Sequence, residues 1–388
     1  MKKNLVLFFT IREFQNVLLY KDVGLVPFYL GEEYNLNVKI LYSNEKIINV
    51  VKNFRNIMLE NIIPFKCIEF IKKCDKYKIF ENLNFYKYLI KNAKKIDYLM
   101  FFHLNYDKLF LILLYKFLNK NGKVYLKADM DFQRAKKLVK YTSLKKPKYN
   151  LILRKVDLFS CEQKETFDLL KQKRICGVFL KNKVVYIPNG FDEYYLKQNN
   201  ICVKNFREKE NVIITVGRIG TRQKNNEMLL EALSEIDLKD WKIYFIGEYT
   251  EEFEKKYNDF INKRNKTKIV LLGNIENKKI LYDYYNKAKV FVLTSRFEGF
   301  AIVYPEALRF GNYIITTNVG GAKDITNNGE IGSIIEPGNM FQLKNKLLEV
   351  INDEIDLEKK YEESLNLSKE KFLWNKIIKK EEIKEFFK

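Results

Sequence analysis

Two glutamates in the stretch "FEGFAIVYPEALRFG" could serve one ligand, because only seven residues separate Glu298 from Glu306. Glu298 stands directly before Gly299 in a predicted turn, where a carboxylate can accept hydrogen bonds from ligand hydroxyls. Glu306 follows Pro305, a residue favoured in the first turn of a helix. A carboxylate there is stabilised by the helix dipole and can bind a vicinal diol such as that of ribose. Taken singly, each glutamate also fits ordinary turn geometry or helix capping.

Cationic residues follow another predicted strand, in "VGRIGTRQKNNEMLLEAL". Gly217 and Arg218 come directly after the strand, and Lys224 comes just before a helix. A glycine lets the backbone approach a ligand, while Arg and Lys supply positive charge where a pyrophosphate would lie. A solvated loop is the alternative reading of this stretch alone. Further glycine-containing strand exits are "IGEY" with Gly247, "LGNI" and "NVGG". Together they predict a site for an anion and a polyhydroxy group.

The elements that must position these residues alternate between strands and helices. Apolar runs typical of strands occur twice in series: 4–9, 38–42, 97–102, 123–128, 156–160 and 183–188, then 211–217, 241–247, 268–273, 289–295, 312–317 and 332–336. Helical spacing fills the segments between them, near 79–94, 106–119, 225–237, 249–264, 277–287, 304–310 and 340–353.

This alternation predicts an α/β protein with two Rossmann-like, doubly wound domains that face each other across a cleft. We place the first domain at 1–200 and the second at 201–370, with the polar segment 192–211 at their junction. Residues 371–388 are amphipathic and predict a C-terminal helix that packs on one of the domains, the first being our expectation.

From 183 to about 325 the sequence resembles glycosyltransferase family 4, the retaining, nucleotide-sugar-dependent enzymes with the GT-B fold. The matching stretches keep the order and spacing of that family: "VVYIPNGFD", "VGRIGTRQKNNEMLLEAL", "YFIGE", "VLLGNIENKKILYDYYNKAKVFVLTSRFEGFAIVYPEALRFGNYIITTNVGGAKDI" and a closing "FLWNKI". The two glutamates correspond to the E-x7-E motif of the family.

The resemblance implies a role for each matching residue. Glu298 would face the donor sugar, Glu306 would bind the ribose, and Arg218 and Lys224 would hold the diphosphate. Asn274 and Ile275 would lie beside the base. Other donor-binding positions are implied along the same loops, namely Gly217, Gly247 and the backbone of Gly299, Phe300, Ala301 and Ile302. The implied reaction is sugar transfer to an acceptor hydroxyl with retention, with a nucleoside diphosphate sugar as co-substrate and no cofactor.

The first half of the chain matches the family more loosely. The segment 21–42 corresponds to a loop that usually carries paired glycines, of which only Gly24 is present. Many relatives have a histidine at a strand end in this domain, where "KVYLKADMDF" offers Lys127 and Asp129 instead. The single histidine, His103, follows the apolar run "DYLMFF". A structural role and a place in the active site both remain open for it.

The tripeptide "DMD" at 129–131 matches the D-x-D of metal-dependent glycosyltransferases of another fold. Three residues match easily by chance, and a hard cation needs more oxygen ligands than this stretch offers. The basic residues of a GT-B site would neutralise the diphosphate in its place. We therefore expect no metal site.

The charge of the chain is unevenly distributed. Residues 1–200 carry a net charge of +19 and residues 201–388 a net charge of +2. A basic first half favours an anionic partner, such as a membrane surface, over a uniform genomic bias. The lysines of 72–95 and 134–148 are the best candidates, "RAKKLVKYTSLKKPK" being the densest run. The alternative is that these lysines are spread around the domain and only keep it soluble.

Location follows from features that the sequence lacks. No apolar run approaches the roughly 20 residues that a bilayer-spanning helix needs, and we identify no signal peptide. Five cysteines occur without metal spacing, which is typical of a reducing compartment. We expect a cytoplasmic protein, with the inner face of the cytoplasmic membrane as a peripheral location.

Three partners follow from these readings: a nucleotide sugar, a glycan or lipid-linked acceptor of cell-surface polysaccharide or glycolipid synthesis, and an anionic membrane surface. We expect no nucleic acid, since no recognisable nucleic-acid module is present. The alternatives are a nucleotide-sugar epimerase or glycan phosphorylase of the same fold, and a non-enzymatic protein that binds anionic polymers.

Overall fold

The computed structural model describes residues 2–10, 13–44, 49–63, 82–264 and 268–388. The chain forms two compact units, one of Met1–Pro188 with Trp374–Lys388 and the other of Asn189–Leu373. Each unit contains one mostly or wholly parallel sheet covered by helices. Among the described residues, none of the helices combines the length and apolarity that crossing a bilayer requires.

The sheet of the first unit has eight strands in the order β3-β4-β2-β1-β5-β6-β7-β8. Only β3 runs antiparallel to its neighbour. The strands are β1 Asn4–Phe9, β2 Asn37–Tyr42, β3 Asn53–Phe54, β4 Ile57–Asn61, β5 Tyr98–Phe102, β6 Lys123–Lys127, β7 Leu158–Cys161 and β8 Val184–Tyr186.

Two helical layers cover this sheet, because successive side chains of a strand point to opposite faces. Leu5 and Leu7 of β1 pack in one apolar cluster, whereas Val6 and Phe8 pack in the other. The first cluster includes residues of the helices Asp22–Tyr34, Trp374–Ile377 and Glu381–Phe387. The second includes residues of the helices Leu83–Asn92, Leu109–Leu118, Phe132–Val139, Pro147–Lys155 and Lys164–Gln172.

The C-terminal residues complete the first of these layers. Trp374 and Ile377 are 1% exposed, and the Tyr98 hydroxyl donates to the carbonyl oxygen of Phe387 at 2.8 Å. The Tyr34 hydroxyl donates to the carbonyl oxygen of Ile378 at 2.7 Å. Residues 374–388 therefore belong to the packing of the first unit, although the whole second unit precedes them in the chain.

The second unit has a wholly parallel six-stranded sheet in the order β11-β10-β9-β12-β13-β14. Its strands are β9 Glu210–Val216, β10 Lys242–Ile246, β11 Ile269–Gly273, β12 Ala288–Leu293, β13 Tyr313–Thr317 and β14 Gly332–Ile335. Its helices are Glu193–Gln198, Asn226–Ser234, Glu251–Arg264, Lys278–Lys287, Val303–Arg309, Ala322–Ile325, Met340–Ile351 and Leu357–Lys371. Short 3-10 helices cover Asn16–Tyr20, Ala93–Lys95, Tyr106–Lys108 and Phe206–Glu208 across the two units.

The structure confirms the predicted fold class of two parallel-sheet α/β units. Each of the twelve predicted strands is present, shifted by at most two residues at either end. The strands β3 and β4 were not predicted, because this edge hairpin alternates buried and exposed positions and has no long apolar run. Our predicted domain boundary lay after residue 200, whereas residues 189–200 pack with the second unit.

Candidate active site

The second unit has a topological switch point between β9 and β12. From β9 the chain adds β10 and β11 on one side of the sheet, and then β12, β13 and β14 on the other. In open parallel sheets, ligands bind outside the carboxyl ends of the strands at such a point. The loops 217–225 and 294–302 leave the sheet here, directly after β9 and β12.

Hydrogen bonds fasten these two loops to each other. The backbone N–H of Arg296 donates to the carbonyl oxygen of Gln223 at 2.8 Å, and the Thr294 hydroxyl donates to that of Lys224 at 2.9 Å. The Arg296 guanidinium reaches the side-chain oxygen of Asn225 at 2.7 Å. Asn225 has a φ of 49°, a left-handed conformation that asparagine tolerates better than most residues. The loops therefore form one preorganised unit.

Lys224 and Glu298 form an ion pair where the loops meet. Lys224 Nζ lies 2.8 Å from Glu298 Oε1, and the two side chains are 12% and 8% exposed. The Ser295 hydroxyl donates to the same oxygen at 2.6 Å, and Gln223 Nε2 donates to Glu298 Oε2 at 3.2 Å. These contacts orient the carboxylate and leave the three-donor ammonium able to hold a further acceptor.

Two glycines allow the exits of β9 and β10 to lie against each other. Gly217 has a φ of 153° and its N–H donates to the carbonyl oxygen of Ile246. Gly247 has a φ of 136°, and a Cβ added there would lie 1.8 Å from the carbonyl oxygen of Gly217. The exposed Arg218 lies beside them and donates from Nη2 to the side-chain oxygen of Gln223 at 2.7 Å. Arg218 is thereby tied to the loop that holds Lys224.

Glu306 lies in a separate, buried environment on the helix Val303–Arg309. Its Oε2 accepts from the Tyr285 hydroxyl at 3.2 Å, and its Oε1 from the Tyr282 hydroxyl at 3.4 Å. Lys278 Nζ is 3.5 Å from Oε1. Burial, and next the charge of Glu306, raise the pKa of both tyrosines well above the ordinary value, so both phenols stay protonated donors.

Tyr282, Tyr285 and Lys278 were missed by the sequence analysis. All three lie on the helix Lys278–Lys287 at spacings of four and three residues, which places them on one helix face. That spacing was visible, but aromatic residues on a helix face are far more often core than ligand-positioning. Glu306, the carboxylate that these three side chains contact, lies on another helix.

The segment between Glu298 and the helix Val303–Arg309 presents backbone donors. Within the part of the chain that the structure describes, the N–H groups of Phe300, Ala301 and Ile302 donate to no other group. Phe300 and Ala301 are 4% exposed, and the carbonyl oxygen of Phe300 accepts from Asn189 Nδ2 at 2.8 Å. Gly299 connects this segment to the Lys224–Glu298 pair.

Asn274 and Ile275 follow β11, at the edge of the sheet. Asn274 is exposed, while Ile275 packs against the apolar cluster that also contains Tyr282 and Phe300. The structure thus pairs Lys224 directly with Glu298, and it links Arg218 to this pair through Gln223. Gly217 precedes Arg218 in the chain, and Glu306, Asn274 and Ile275 lie in their own surroundings on neighbouring elements.

In the first unit, His103 and Asp129 follow the adjacent strands β5 and β6. His103 Nδ1 lies 3.4 Å from Asp129 Oδ2, and the two residues have left-handed φ values of 60° and 43°. Such backbone strain often accompanies functional positions. Burial lowers the pKa of His103, against the opposing effect of the Asp129 carboxylate. The imidazole is therefore neutral at physiological pH and can accept or donate a hydrogen bond.

Lys127 is wholly buried, unlike an exposed ligand-binding lysine. Its Nζ lies 2.9 Å from Asp22 Oδ2, forms an ion pair with Glu162 and lies 5.4 Å from the ring centroid of Phe102. Two carboxylates from two other elements converge on this ammonium. The triad ties β6 to the start of the helix Asp22–Tyr34 and to the end of β7.

Gly24 lies inside the helix Asp22–Tyr34 rather than in a loop. Its N–H donates to the carbonyl oxygen of Lys21, and an added Cβ would lie 2.3 Å from the carbonyl oxygen of Leu19. Close packing against the preceding 3-10 helix therefore accounts for a glycine at this position.

The two aspartates of "DMD" point to different partners. Asp131 caps the helix Phe132–Val139 by accepting from the backbone N–H of Arg134 at 2.8 Å, while Asp129 faces His103. The described residues contain no cluster of three or more His, Cys, Asp or Glu side chains that could hold a metal ion.

Comparison with known proteins adds a family match for part of the chain. Residues 197–367 match the family model described as glycosyl transferases group 1. An uncharacterised glycosyltransferase of Methanocaldococcus jannaschii is 32% identical over 206 residues, which cover 50% of this chain and 55% of the relative. The capsular polysaccharide biosynthesis glycosyltransferase CapM of Staphylococcus aureus is 31% identical over 196 residues, 48% of this chain and 50% of the relative. The chain thus spans about half the length of these curated relatives.

Solved structures match over nearly the whole chain. The lipopolysaccharide outer core galactosyltransferase WaaB has a TM-score of 0.65 at 15% identity, covering 97% of this chain and 98% of its own. Anabaena HepE, solved in complex with UDP, has a TM-score of 0.66 at 14% identity and 99% coverage of both chains. This chain therefore has the fold of the GT-B glycosyltransferases, and its residues 197–367 match the group 1 family of those enzymes.

Proposed function

We propose that this protein is a retaining glycosyltransferase that moves a sugar from a nucleoside diphosphate sugar to an acceptor hydroxyl. The observation that carries the proposal is the half-buried Lys224–Glu298 pair at the switch point of the second sheet. An ammonium, a carboxylate and unused backbone N–H groups meet there. This combination suits a ligand that has both an anionic and a polyhydroxy part.

The diphosphate would be held by Arg218 and Lys224, with the N–H groups of Phe300, Ala301 and Ile302 as further donors. Negative charge grows on the leaving phosphate oxygen as its bond to the sugar breaks. Fixed positive charges and dipoles therefore stabilise the transition state more than the bound substrate. Because Glu298, Ser295 and Gln223 already fix Lys224 and its loop, little reorganisation is needed during the reaction.

The bond between the anomeric carbon and the phosphate oxygen breaks, and a bond from the acceptor oxygen to the same carbon forms on the same face. The acceptor proton passes to the departing phosphate oxygen, so the scheme needs neither a protein nucleophile nor a separate base. The positive side chains take the place that a divalent metal has in other glycosyltransferases. We propose accordingly that the reaction is independent of metal and of any cofactor.

The two glutamates would recognise hydroxyl groups. Glu298 would accept from hydroxyls of the donor sugar, and Glu306 from those of the ribose. Asn274 and Ile275 would lie beside the base. In the first unit, Gly24 and His103 remain proposed contacts, and the left-handed backbone of His103 is the feature that favours it.

The relatives suggest which substrates to test first. HepE has been solved with UDP and with UDP-glucose, and CapM is named for capsular polysaccharide synthesis. We propose a UDP-sugar as donor and a glycan or lipid-linked saccharide of cell-surface polymer synthesis as acceptor. A cytoplasmic enzyme at the inner face of the membrane would reach both.

A thermal-shift screen of nucleotide sugars tests the donor, because a ligand that binds only the folded state raises its stability. Product analysis then separates the alternatives. An epimerase would convert the donor without an acceptor, and a phosphorylase would need inorganic phosphate. If the protein binds acidic polymers but no nucleotide sugar raises its melting temperature, the proposal is wrong.

A further inference from the structure

Charge is polarised across the sheet of the first unit. The helices Leu83–Asn92, Leu109–Leu118, Phe132–Val139 and Pro147–Lys155 contain no Asp or Glu, and neither does the turn 140–146. These helices contribute to the same apolar cluster on one face of the sheet. The opposite layer is acidic by comparison, with Glu32 and Glu33 in one helix and Glu381, Glu382 and Glu385 in another. The fifth helix of this cluster, Lys164–Gln172, packs against Phe132–Val139 and carries two acidic residues, Glu165 and Asp168. We call the surface formed by the four acid-free helices and the turn 140–146 the basic face.

The basic face exposes many cationic side chains. The exposed ones are Lys87, Lys91, Lys136, Lys137, Lys140, Lys145, Arg154 and Lys155. They project from three helices and the turn, and these segments contain no acidic residue to offset them. The opposite layer also exposes lysines, but there Glu381, Glu382 and Glu385 are exposed beside them. A one-sided surface of this kind attracts an extended anionic partner far more strongly than the same charges dispersed would do.

Large apolar side chains lie among these cations. Leu144, at the tip of the turn, is 90% exposed, and Phe117 on the helix Leu109–Leu118 is 80% exposed. Ile90 is 65% exposed, and Leu151 is 36% exposed. Leu109–Leu118 packs between the helices that carry Ile90 and Leu151, so three of these exposed side chains, Ile90, Phe117 and Leu151, lie on neighbouring helices of the layer. Leu144 lies in the turn that precedes the helix carrying Leu151. Moving such side chains from water into hydrocarbon lowers the free energy, whereas leaving them exposed to water does not stabilise the protein.

We propose that the basic face docks on an anionic lipid bilayer, with its lysines at the phosphate headgroups and with Leu144 and Phe117 entering the interfacial region. The combination of a cationic surface with projecting apolar side chains is typical of interfacial membrane binding. A nucleic acid or an acidic polysaccharide would satisfy the lysines, but it would offer no apolar phase to the aliphatic Leu144 and Ile90. The bilayer is therefore the partner that uses both features.

Each lysine near an anionic surface strengthens binding by about fivefold, and the effect falls off within a Debye length of roughly 8 Å. Replacing Lys136, Lys137, Lys145 and Lys146 together by Glu is expected to lower the partition coefficient by about a hundredfold or more. The docking does not depend on sugar transfer. The thermal unfolding curve of the variant, compared with that of the wild type, serves as the folding control.

The test is co-sedimentation of the full chain with phosphatidylcholine vesicles containing a rising proportion of phosphatidylglycerol. Binding should rise with phosphatidylglycerol, fall with salt, and be lost in the fourfold Lys→Glu variant of the basic face. A matched variant changes Lys376, Lys379, Lys384 and Lys388 to Glu, which alters the net charge equally on the opposite layer. This control should retain binding, and equal losses in the two variants would overturn the proposal.

A fluorescence experiment tests insertion directly. The two native tryptophans, Trp241 and Trp374, are each 1% exposed and provide a constant background. A Leu144→Trp variant should show a blue shift of its emission with anionic vesicles, and none with heparin or RNA. Equal partitioning into neutral and anionic vesicles, or tight binding to RNA or heparin without a blue shift on vesicles, would refute bilayer docking.

Discussion

Changing Tyr285 to phenylalanine removes a single hydroxyl that lies 3.2 Å from Glu306 Oε2. Glu306 Oε1 has two neighbours, the Tyr282 hydroxyl at 3.4 Å and Lys278 Nζ at 3.5 Å. A carboxylate oxygen has two lone pairs, so Oε2 can accept from Tyr285 and from a ribose hydroxyl together. Without Tyr285 the carboxylate loses the partner that holds Oε2 in place for the ligand.

A hydrogen bond to a charged group contributes roughly 1.5–3 kcal/mol to stability. At 3.2 Å this hydrogen bond is long, so its contribution lies at or below the lower end of that range. We therefore expect its loss to weaken the free energy of nucleotide binding by about 1–1.5 kcal/mol. That cost corresponds to a rise of about five- to tenfold in Kd. The turnover number should change little, since the ribose contact is equally present in the ground state and the transition state. The raised pKa of Tyr285 keeps its phenol protonated, so the effect should not vary between pH 6 and 9.

Calorimetric titration with UDP measures Kd, and steady-state kinetics with the donor identified in the screen gives kcat and KM. Tyr284→Phe is the matched control, because Tyr284 lies on the same helix and packs against Tyr244 away from Glu306. If Tyr285→Phe lowers the melting temperature but leaves Kd at the control value, Glu306 is a structural carboxylate and its ribose role is wrong.

Three further outcomes are expected. Arg218→Ala and Lys224→Ala should each lower kcat by more than they raise the Kd for nucleotide, as rapid-quench kinetics would show; an unchanged kcat would assign both to uniform binding. The free energy of unfolding should fall as pH rises above about 10. Burial raises the pKa of tyrosines such as Tyr304 in the folded state, so only the unfolded state releases these protons in that range. A free energy of unfolding that stays constant between pH 9 and 11 in urea titrations would contradict this. Trp374→Ala should lower the free energy of unfolding by about 3–5 kcal/mol, with UDP binding to the folded protein retained, and a variant as stable as wild type would mean that the C-terminal segment is not part of the first core.

Much of the fold could be read from the sequence because apolar runs report directly on buried parallel strands. The second unit shows this best, since each of its six strands was predicted to within two residues. The β3–β4 hairpin was missed because its burial depends on a neighbour, β2, and not on its own composition. The assignment of residues 189–200 to the second unit was missed for a similar reason. The Arg309–Glu193 ion pair at 2.7 Å holds this segment, and it joins residues that are far apart in the sequence.

Glycines at strand exits could be read from the sequence because their backbone geometry admits few other residues. A Cβ on Gly247 would collide with the carbonyl oxygen of Gly217, and Gly217 itself has a φ of 153°. The shell around Glu306 was not readable, since Tyr282 and Tyr285 look like any other buried aromatic residues until the carboxylate between them is located. Lys127 shows the converse case. It stands near the strand end where many relatives have a histidine, and the structure shows it engaged by Asp22 and Glu162.

The position of residues 374–388 has a consequence for the order in which the protein assembles on the ribosome. The sheet of the first unit is made before the second unit, yet one of its apolar faces is completed by Trp374, Phe386 and Phe387, which are made after the second unit. The second unit is continuous in the chain and can fold while the first still exposes that face. A nascent chain of this protein therefore exposes part of the apolar surface of its first unit for as long as the second unit is being made.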